Sequence, residues 1–134
     1  MTRLTKIEGI GDIYAAKLEA AGVATVEKLL EAGAMPKGRQ ELAEQTGITH
    51  KLILEWVNLA DLMRIKGVSE EYADLLEAAG VDTVKELRQR NPANLHAALI
   101  EVNAEKQLVR RLPGKNQVAD WIEQAKTLPP KVTY

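Results

Sequence analysis

A repeat covers most of this sequence and constrains its fold more than any other feature does. Residues 7–30 align with residues 65–88 at a constant offset of 58 without a gap, and 13 of the 24 aligned positions are identical. The identical positions are mainly apolar residues, alanines and glycines, which are structural in kind. The similarity returns around Trp56 and Trp121, in residues 53–62 and 118–128, after seven extra residues in the second half. A repeat of this length indicates a duplicated unit of about 60 residues.

The apolar residues within each copy follow a helical period. Tyr14, Ala15, Leu18 and Ala21 share one face of a helix, and no stretch of the sequence sustains the alternation of a strand. The spacing predicts eight helices, near residues 12–21, 25–33, 38–46, 50–64, 70–79, 83–90, 93–110 and 116–127.

Residues at the predicted helix ends support these bounds. Gly22 and Gly80 stand where a residue with positive φ closes a helix. Thr83 and Glu86 have the spacing of a capping box, and Ser69 is predicted to cap the helix that begins at residue 70.

The predicted fold is all-α. It is a tandem duplication of a four-helix helix-hairpin-helix-like unit, with pseudo-twofold symmetry in one compact domain. The first repeat spans residues 1–64 and the second 65–128, while residues 129–134 have two prolines and no periodic partner and are predicted to be a flexible tail.

The order of the helices leads to a prediction about packing. No tryptophan helix precedes the first hairpin, whereas the Trp56 helix precedes the second. We therefore predict that the Trp121 helix returns to cover the first hairpin, within a monomer or between the chains of a helix-exchanged homodimer.

Composition narrows the class of protein. Apolar residues make up 46% and charged residues 28%, which is the balance of a globular chain, and no apolar run is long enough to span a membrane. The absence of cysteine excludes disulfides, thiolate metal sites and a cysteine nucleophile. The first residues, MTRLTKIEG, lack the apolar core of a signal peptide, so a cytoplasmic location is expected.

The first candidate binding site is a helix-hairpin-helix motif. Its signature is an apolar residue, a Gly-apolar-Gly turn, and then alanine and leucine on the next helix. Residues 7–18 follow this pattern, with Gly9, Ile10 and Gly11 as the turn. Such a turn lets main-chain N–H groups and a helix N-terminus approach a nucleic-acid phosphate without reading the base sequence.

The second hairpin, which contains Lys66 and Gly67, is the weaker copy. Ser69 replaces the second glycine, and Glu70 and Glu71 follow it. Acidic residues also flank the first turn, and these charges would repel a phosphate. The alternative interpretation, which the charges favour, is that both hairpins are only compact connections between helices.

Residues 39–56 also resemble a helix-turn-helix, with Ala43, Gly47 and Ile53 at the required spacing. The residues expected to face outward there form a poor set for base recognition. A simple helix crossing is the favoured interpretation.

A basic stretch in the second half is the best candidate for contact with a polyanion. Between residues 84 and 115, seven cations face three acids, which leaves a local charge of +4 although the whole chain has a net charge of −1. Such residues are also common on a solvated helix face, so an ordinary exposed surface stays the alternative. The cations are Lys85, Arg88, Arg90, Lys106, Arg110, Arg111 and Lys115.

Nothing in the sequence indicates an enzyme. His50 and His96 occupy non-equivalent places in the two copies and have no companion at a metal-ligand spacing, so no metal or cofactor is predicted. Phosphate-loop, dinucleotide and serine-nucleophile motifs are absent.

Three stretches of the chain carry a family resemblance: LAEQTGITHKLILEWVNLADLMRIKGV (42–68), EYADLLEAAGVDTVKELRQRNPANLHAAL (71–99) and VADWIEQAK (118–126). Through them the chain resembles the bacterial family known as domain of unknown function 4332. The resemblance implies a helical, helix-hairpin-helix-like fold and supplies no catalytic or binding residue.

The leading hypothesis is a non-catalytic helix-hairpin-helix module that binds nucleic acid weakly and without sequence preference. Its expected contacts are Gly9, Ile10, Gly11, Lys66, Gly67, Arg88, Arg90, Arg110, Arg111 and Lys115. The alternative is a module for protein–protein interaction or self-assembly without nucleic-acid binding, which the near-zero net charge favours.

Overall fold

Every regular element in the described part of this chain is helical. The structure, a computed structural model, describes residues 2–134. It contains a 3₁₀ turn at Leu4–Lys6 and the helices α1 (Asp12–Ala20), α2 (Val26–Gly33), α3 (Pro36–Thr46), α4 (His50–Leu62), α5 (Glu70–Ala78), α6 (Val84–Leu87), α7 (Pro92–Lys106) and α8 (Lys115–Thr127). Strand-like pairing within the described range is limited to an isolated antiparallel bridge between Arg3 and Thr25. The prediction of an all-α fold with eight helices is confirmed.

Glycines and threonines set several helix ends, and the ends at Gly22, Gly80 and Thr83 are those that the sequence predicted. Gly22 and Gly80 follow α1 and α5 with φ of +86° and +93°, a conformation that costs glycine little. The hydroxyls of Thr25 and Thr83 accept the main-chain N–H groups three residues later, at 3.1 and 3.2 Å. These bonds satisfy donors that the first turn of a helix leaves without an acceptor.

Helices α6 and α7 end three and four residues before their predicted bounds. Helix α6 ends at Leu87, and α7 ends at Lys106, where Gln107 adopts a left-handed conformation with φ of 51°. This conformation breaks the helical hydrogen bonding of α7. Residues 107–114 therefore form a loop instead of the last turn of α7.

The chain divides into two compact units. Unit 1 contains the residues up to Asp61 together with Lys131–Tyr134, and unit 2 contains Leu62–Pro130. The division lies three residues before the predicted repeat boundary at 64/65. That the two repeats form one domain stays a prediction.

Trp56 lies at the centre of the core of unit 1. Its indole is 1% exposed and packs against the ring of Tyr14, with centroids 5.1 Å apart. A Cβ placed on Gly9 would lie only 3.2 Å from Trp56 Nε1, so the indole is in close contact with the first hairpin. Other buried apolar side chains of unit 1 include Leu4, Ile7, Ile10, Leu18, Val23, Leu29, Ile53 and Val57.

Trp121 has the corresponding place in unit 2. Its ring centroid lies 5.3 Å from that of Tyr72, and a Cβ on Gly67 would lie 3.1 Å from its Nε1. Other buried apolar side chains of unit 2 include Ile65, Leu75, Leu76, Val81, Leu87, Leu95, Leu99 and Val118.

These contacts correct the prediction about the Trp121 helix. The first hairpin is covered by Trp56 of its own unit, and Trp121 packs against the second hairpin. Each tryptophan helix therefore covers the hairpin that precedes it in the sequence. The prediction paired each helix with the hairpin that follows it, and the argument for exchanging a helix between two chains depended on that pairing.

Residues 131–134 differ from the predicted flexible tail because they are docked on unit 1. The Thr133 N–H donates to the carbonyl oxygen of Ala34 at 2.8 Å, and Arg39 Nη2 donates to the Thr133 carbonyl at 2.7 Å. Val132 is buried. A main-chain carbonyl and a side-chain guanidinium of unit 1 thus hold a segment that has no helical periodicity of its own.

Glu27 gives the fold a modest dependence on pH. The main-chain N–H of Thr2 donates to Glu27 Oε1 at 2.8 Å, and this hydrogen bond lowers the pKa of the carboxyl group. Because the folded pKa is depressed, the stabilisation is complete above the unfolded-chain value of about 4.3 and is lost as pH falls through the folded value.

We expect Glu27→Gln to reduce the free energy of unfolding at neutral pH by less than about 1 kcal/mol, because this carboxyl is exposed. Urea unfolding from neutral to acidic pH checks this: the two curves converge once the carboxyl is protonated. Glu31→Gln, on the same helix, reports the effect of removing one charge from α2. A difference that persists unchanged at acidic pH contradicts the role given to the carboxylate.

Candidate nucleic-acid interface

The first hairpin turn is shaped by Gly9. The Ile10 N–H donates to the Ile7 carbonyl at 3.1 Å, and both isoleucine side chains are buried. Gly9 has a φ of +94° and lies against the indole of Trp56. A side chain here would strain the backbone and crowd the indole, so Gly9 is required by the fold itself.

Gly11 lies in different surroundings. It is the N-cap of α1, with a φ of −87°, and a Cβ added to it would meet no atom within 4 Å. No side chain caps this helix end. The N–H groups of the first turn have no acceptor within the helix and form the positive end of its dipole, so this end of α1 has the geometry of an anion site.

The residues around Gly11 limit that site. Asp12 is the first residue of α1, and both Asp12 and Glu8 are exposed. The apolar side chain of Ile13 is 75% exposed. The first hairpin therefore combines open main-chain donors with two carboxylates that oppose an approaching phosphate.

In the second hairpin, the side chain of Gln124 binds the main-chain groups of Lys66. The Lys66 N–H donates to Gln124 Oε1 at 2.9 Å, and Gln124 Nε2 donates to the Lys66 carbonyl at 3.0 Å. Asp120 Oδ2 accepts a further bond from Gln124 Nε2 at 2.9 Å. Gln124 aligns with Leu59 of the first repeat, whose side chain has no amide group. These side-chain bonds to the main chain are therefore particular to the second hairpin.

The helix after the second hairpin begins without the predicted cap. Ser69 is at the N-cap position of α5, but its side chain makes no capping hydrogen bond. The prediction that Ser69 caps α5 is therefore wrong in its chemistry, although the helix begins where expected. Glu70 and Glu71 fill the first turn with negative charge, which makes this helix end a poor anion site.

The basic residues of the second half lie in two places. The first is α6 and the residues after it, where Arg88 and Arg90 are half-buried and Arg90 Nη1 lies 3.8 Å from Glu86 Oε1. The second is the loop 107–114 and the helix ends beside it. Lys85 on α6 and the cations at the second place, Lys106, Arg110, Arg111 and Lys115, are exposed.

Side chains from unit 2 fix the main chain of the loop 107–114. Asn103 accepts the Val109 N–H at 3.0 Å and donates to its carbonyl at 3.2 Å. The hydroxyl of Tyr72 donates to the Arg111 carbonyl at 3.0 Å. His96 Nε2 lies 3.1 Å from the carbonyl of Pro113 and donates to it, since a carbonyl only accepts.

The fixed loop presents Arg110 and Arg111 to solvent from a defined backbone. Sequence reasoning missed the three residues that hold it. Tyr72 is explained by its place in the repeat, and neither His96 nor Asn103 belongs to a motif. The loop contains most of the extra length of the second repeat, since α3 and α4 are joined by residues 47–49 and α7 and α8 by residues 107–114.

Helices α3 and α4 are joined by a turn at Gly47, whose φ is +74°. On α4, the side chains of Ile53 and Trp56 are buried in the core of unit 1, while His50 and Lys51 are exposed. These positions agree with a helix crossing and leave few outward groups for base recognition.

Other features of a catalytic or metal site are scarce. Within residues 2–134, no group of three or more His, Asp or Glu side chains is arranged to hold a metal ion. A shallow cleft of about 380 Å³ lies between the 3₁₀ turn and α1, and its lining includes Arg3, Asp12 and Glu19. In the same range, no helix has the length and apolar character needed to cross a membrane.

Comparison with known proteins gives a family. No solved structure matches this chain. The model of the family described as domain of unknown function (DUF4332) matches residues 8–128, which is most of the sequence. The resemblance seen in the three sequence stretches is confirmed, and the chain belongs to the DUF4332 family.

Proposed function

We propose that this chain is a non-catalytic binding module that contacts nucleic acid weakly and without sequence preference, through the turn Gly9–Gly11 and the loop 107–114. The observation that carries the proposal is the uncapped start of α1 at Gly11, where nothing lies within 4 Å of an added Cβ. Exposed main-chain donors at a helix N-terminus suit a phosphate. We also propose that the protein is located in the cytoplasm.

The module is a tandem duplication of one helix-hairpin-helix-like unit. In each copy a hairpin glycine with positive φ, Gly9 or Gly67, lies against the Nε1 of the tryptophan that follows it. Tyr14 and Tyr72 also pack on those tryptophans with almost equal centroid distances, 5.1 and 5.3 Å. This agreement in local contacts supports the duplication seen in the sequence.

The two hairpins differ as candidates for phosphate contact. Gln124 occupies the main-chain groups of Lys66, and two glutamates begin α5, so the second hairpin is assigned a structural role. Arg110 and Arg111 of unit 2 are exposed cations and form the second candidate contact. With a net charge of −1, the chain is expected to bind DNA in the micromolar range or more weakly even at low salt.

Titration of a short fluorescein-labelled DNA duplex at low and physiological salt tests the proposal. Gly11→Asp is expected to weaken binding more than Gly11→Asn, because the two side chains have nearly the same shape and only aspartate repels a phosphate. Both residues are good N-caps, so both variants are expected to fold. Equal affinity of the two variants contradicts a phosphate contact at this turn.

The loop is tested separately with Arg110→Gln/Arg111→Gln. Loss of two phosphate contacts is expected to reduce the log–log salt slope of binding by about 1.8, twice the value for one phosphate. Lys28→Gln/Lys37→Gln removes the same charge from exposed positions in unit 1 and serves as the control. An equal effect of both pairs points to general attraction and rules out a contact at the loop.

A second candidate function is protein–protein interaction or self-assembly. Ile13 and Met35 are large apolar side chains of unit 1 that are 75% and 61% exposed. Light scattering coupled to gel filtration separates the candidates. Self-association that Ile13→Ser abolishes, in a protein that does not bind DNA at low salt, supports this function over the first.

A further inference from the structure

We propose that the groove on unit 1 that holds residues 131–134 is a peptide-binding site, and that this segment is its tethered ligand. The groove, here called the tail groove, is formed by Gly33, Ala34, Arg39 and Asn58. Its ligand is an extended peptide with a branched apolar residue, then any residue with a main-chain N–H, then tyrosine. This inference does not depend on nucleic-acid binding.

The central residue of the segment is recognised through its main chain. The Thr133 N–H donates to the Ala34 carbonyl at 2.8 Å, and the Thr133 carbonyl accepts from Arg39 Nη2 at 2.7 Å. The Thr133 hydroxyl adds only a long bond of 3.4 Å to the Ala34 carbonyl. Recognition of both main-chain groups is typical of sites that bind extended peptides.

The neighbouring residues supply the specificity. Val132 is 7% exposed, so its position demands an apolar side chain. The Tyr134 hydroxyl donates to Asn58 Oδ1 at 2.9 Å, and the Arg39 guanidinium lies 5.7 Å from the centroid of the Tyr134 ring. The hydroxyl and one face of the ring therefore have a partner in the groove, while the residue as a whole is 68% exposed.

Unit 1 orients the main donor of the groove without help from the segment. Arg39 Nη1 donates to the carbonyls of Gly33 and Ala34 at 2.8 and 3.2 Å, and the side chain is 2% exposed. Its Nε is buried and has no acceptor. The docked segment therefore does not bind this donor.

Tethering explains why the segment occupies the groove in this chain. A contact of four residues is weak on its own, but a short connection raises the effective concentration of the segment to about the millimolar range. A free peptide must compete with it. Val132→Asp/Tyr134→Ala in the full chain disables the tethered ligand and leaves every residue of the groove unchanged.

NMR titration of the ¹⁵N-labelled full chain with a blocked peptide of residues 129–134 tests the proposal. Saturable shifts of the Arg39 Nε–H and Ala34 signals are expected in the Val132→Asp/Tyr134→Ala variant. Affinity for the unaltered chain is expected to be at least about tenfold lower, because the tethered segment competes.

A control peptide carrying the same two substitutions is expected not to bind, and it cannot perturb the fold. Circular dichroism first confirms that the variant chain keeps its helices. If the folded variant shows no saturable shifts at millimolar peptide, or shifts equally with the control peptide, the segment is only a structural strap and the proposal is overturned.

Discussion

Trp56→Ala is expected to lower the free energy of unfolding by about 3–5 kcal/mol. The indole is 1% exposed and contacts Tyr14 and the backbone of Gly9. Alanine would leave a cavity beside a turn whose glycine already has positive φ, so the hairpin has little freedom to collapse into it. Urea unfolding followed by circular dichroism measures the loss, and a midpoint lower by roughly 2 M is expected.

Two further variants test whether the loss of stability comes from the packing of the indole. Trp56→Phe keeps an aromatic side chain and is expected to cost clearly less than alanine. Trp121→Ala is expected to show a loss of the same size, since Trp121 is also 1% exposed and packs against Gly67 and Tyr72. A loss below about 1 kcal/mol for Trp56→Ala contradicts a central role for this side chain.

The sequence was most informative where local chemistry decides the structure. Gly22, Gly80, Thr25 and Thr83 mark helix ends because their preferences depend on a few neighbouring main-chain atoms. Ser69 shows the limit of such reasoning, since it takes the cap position without making the bond. A sequence gives the residue at a cap but not the rotamer of its hydroxyl.

Long-range pairing was harder to predict. Both tryptophans are buried in helices that cover a hairpin. The hairpin that each tryptophan helix covers was predicted wrongly. By hydrophobic pattern alone, the apolar face of such a helix fits the preceding hairpin and the following one equally well. The decisive contacts, between each indole and a hairpin glycine, leave no mark in hydrophobic periodicity.

The candidate sites show the same difference between local features, which the sequence predicts, and long-range contacts, which it does not. Gly9, Gly11, Arg110 and Arg111 could be selected by residue type. The groups that fix the loop 107–114 and Lys66 could not, because Asn103, His96 and Gln124 bind main-chain atoms. Main-chain donors and acceptors are the same at every position, so the sequence does not distinguish the ones that will be bound.

Arg39→Met is expected to lower the free energy of unfolding by about 2–4 kcal/mol. The guanidinium donates to three main-chain carbonyls, and methionine would leave those of Gly33, Ala34 and Thr133 without this donor. Each lost bond to a charged donor costs about 1.5–3 kcal/mol. The variant no longer buries a charge, which offsets part of the sum.

The free energy that is regained by not burying a charge depends on the protonation state of Arg39. Burial lowers the pKa of the Arg39 guanidinium, and the nearby Tyr134 acts in the opposite direction. An arginine stays protonated at neutral pH even so, and the loss is therefore expected to be independent of pH between about 6 and 8.

Urea unfolding measures the stability, and hydrogen exchange of the Thr133 N–H measures whether residues 131–134 are released. Arg110→Met changes an exposed arginine in the same way and is expected to stay within about 0.5 kcal/mol of the unaltered chain. If Arg39→Met is equally neutral while exchange at Thr133 becomes fast, the guanidinium serves the docked segment alone. If it is neutral and Thr133 stays protected, the three carbonyls find other donors and the role assigned to Arg39 is wrong.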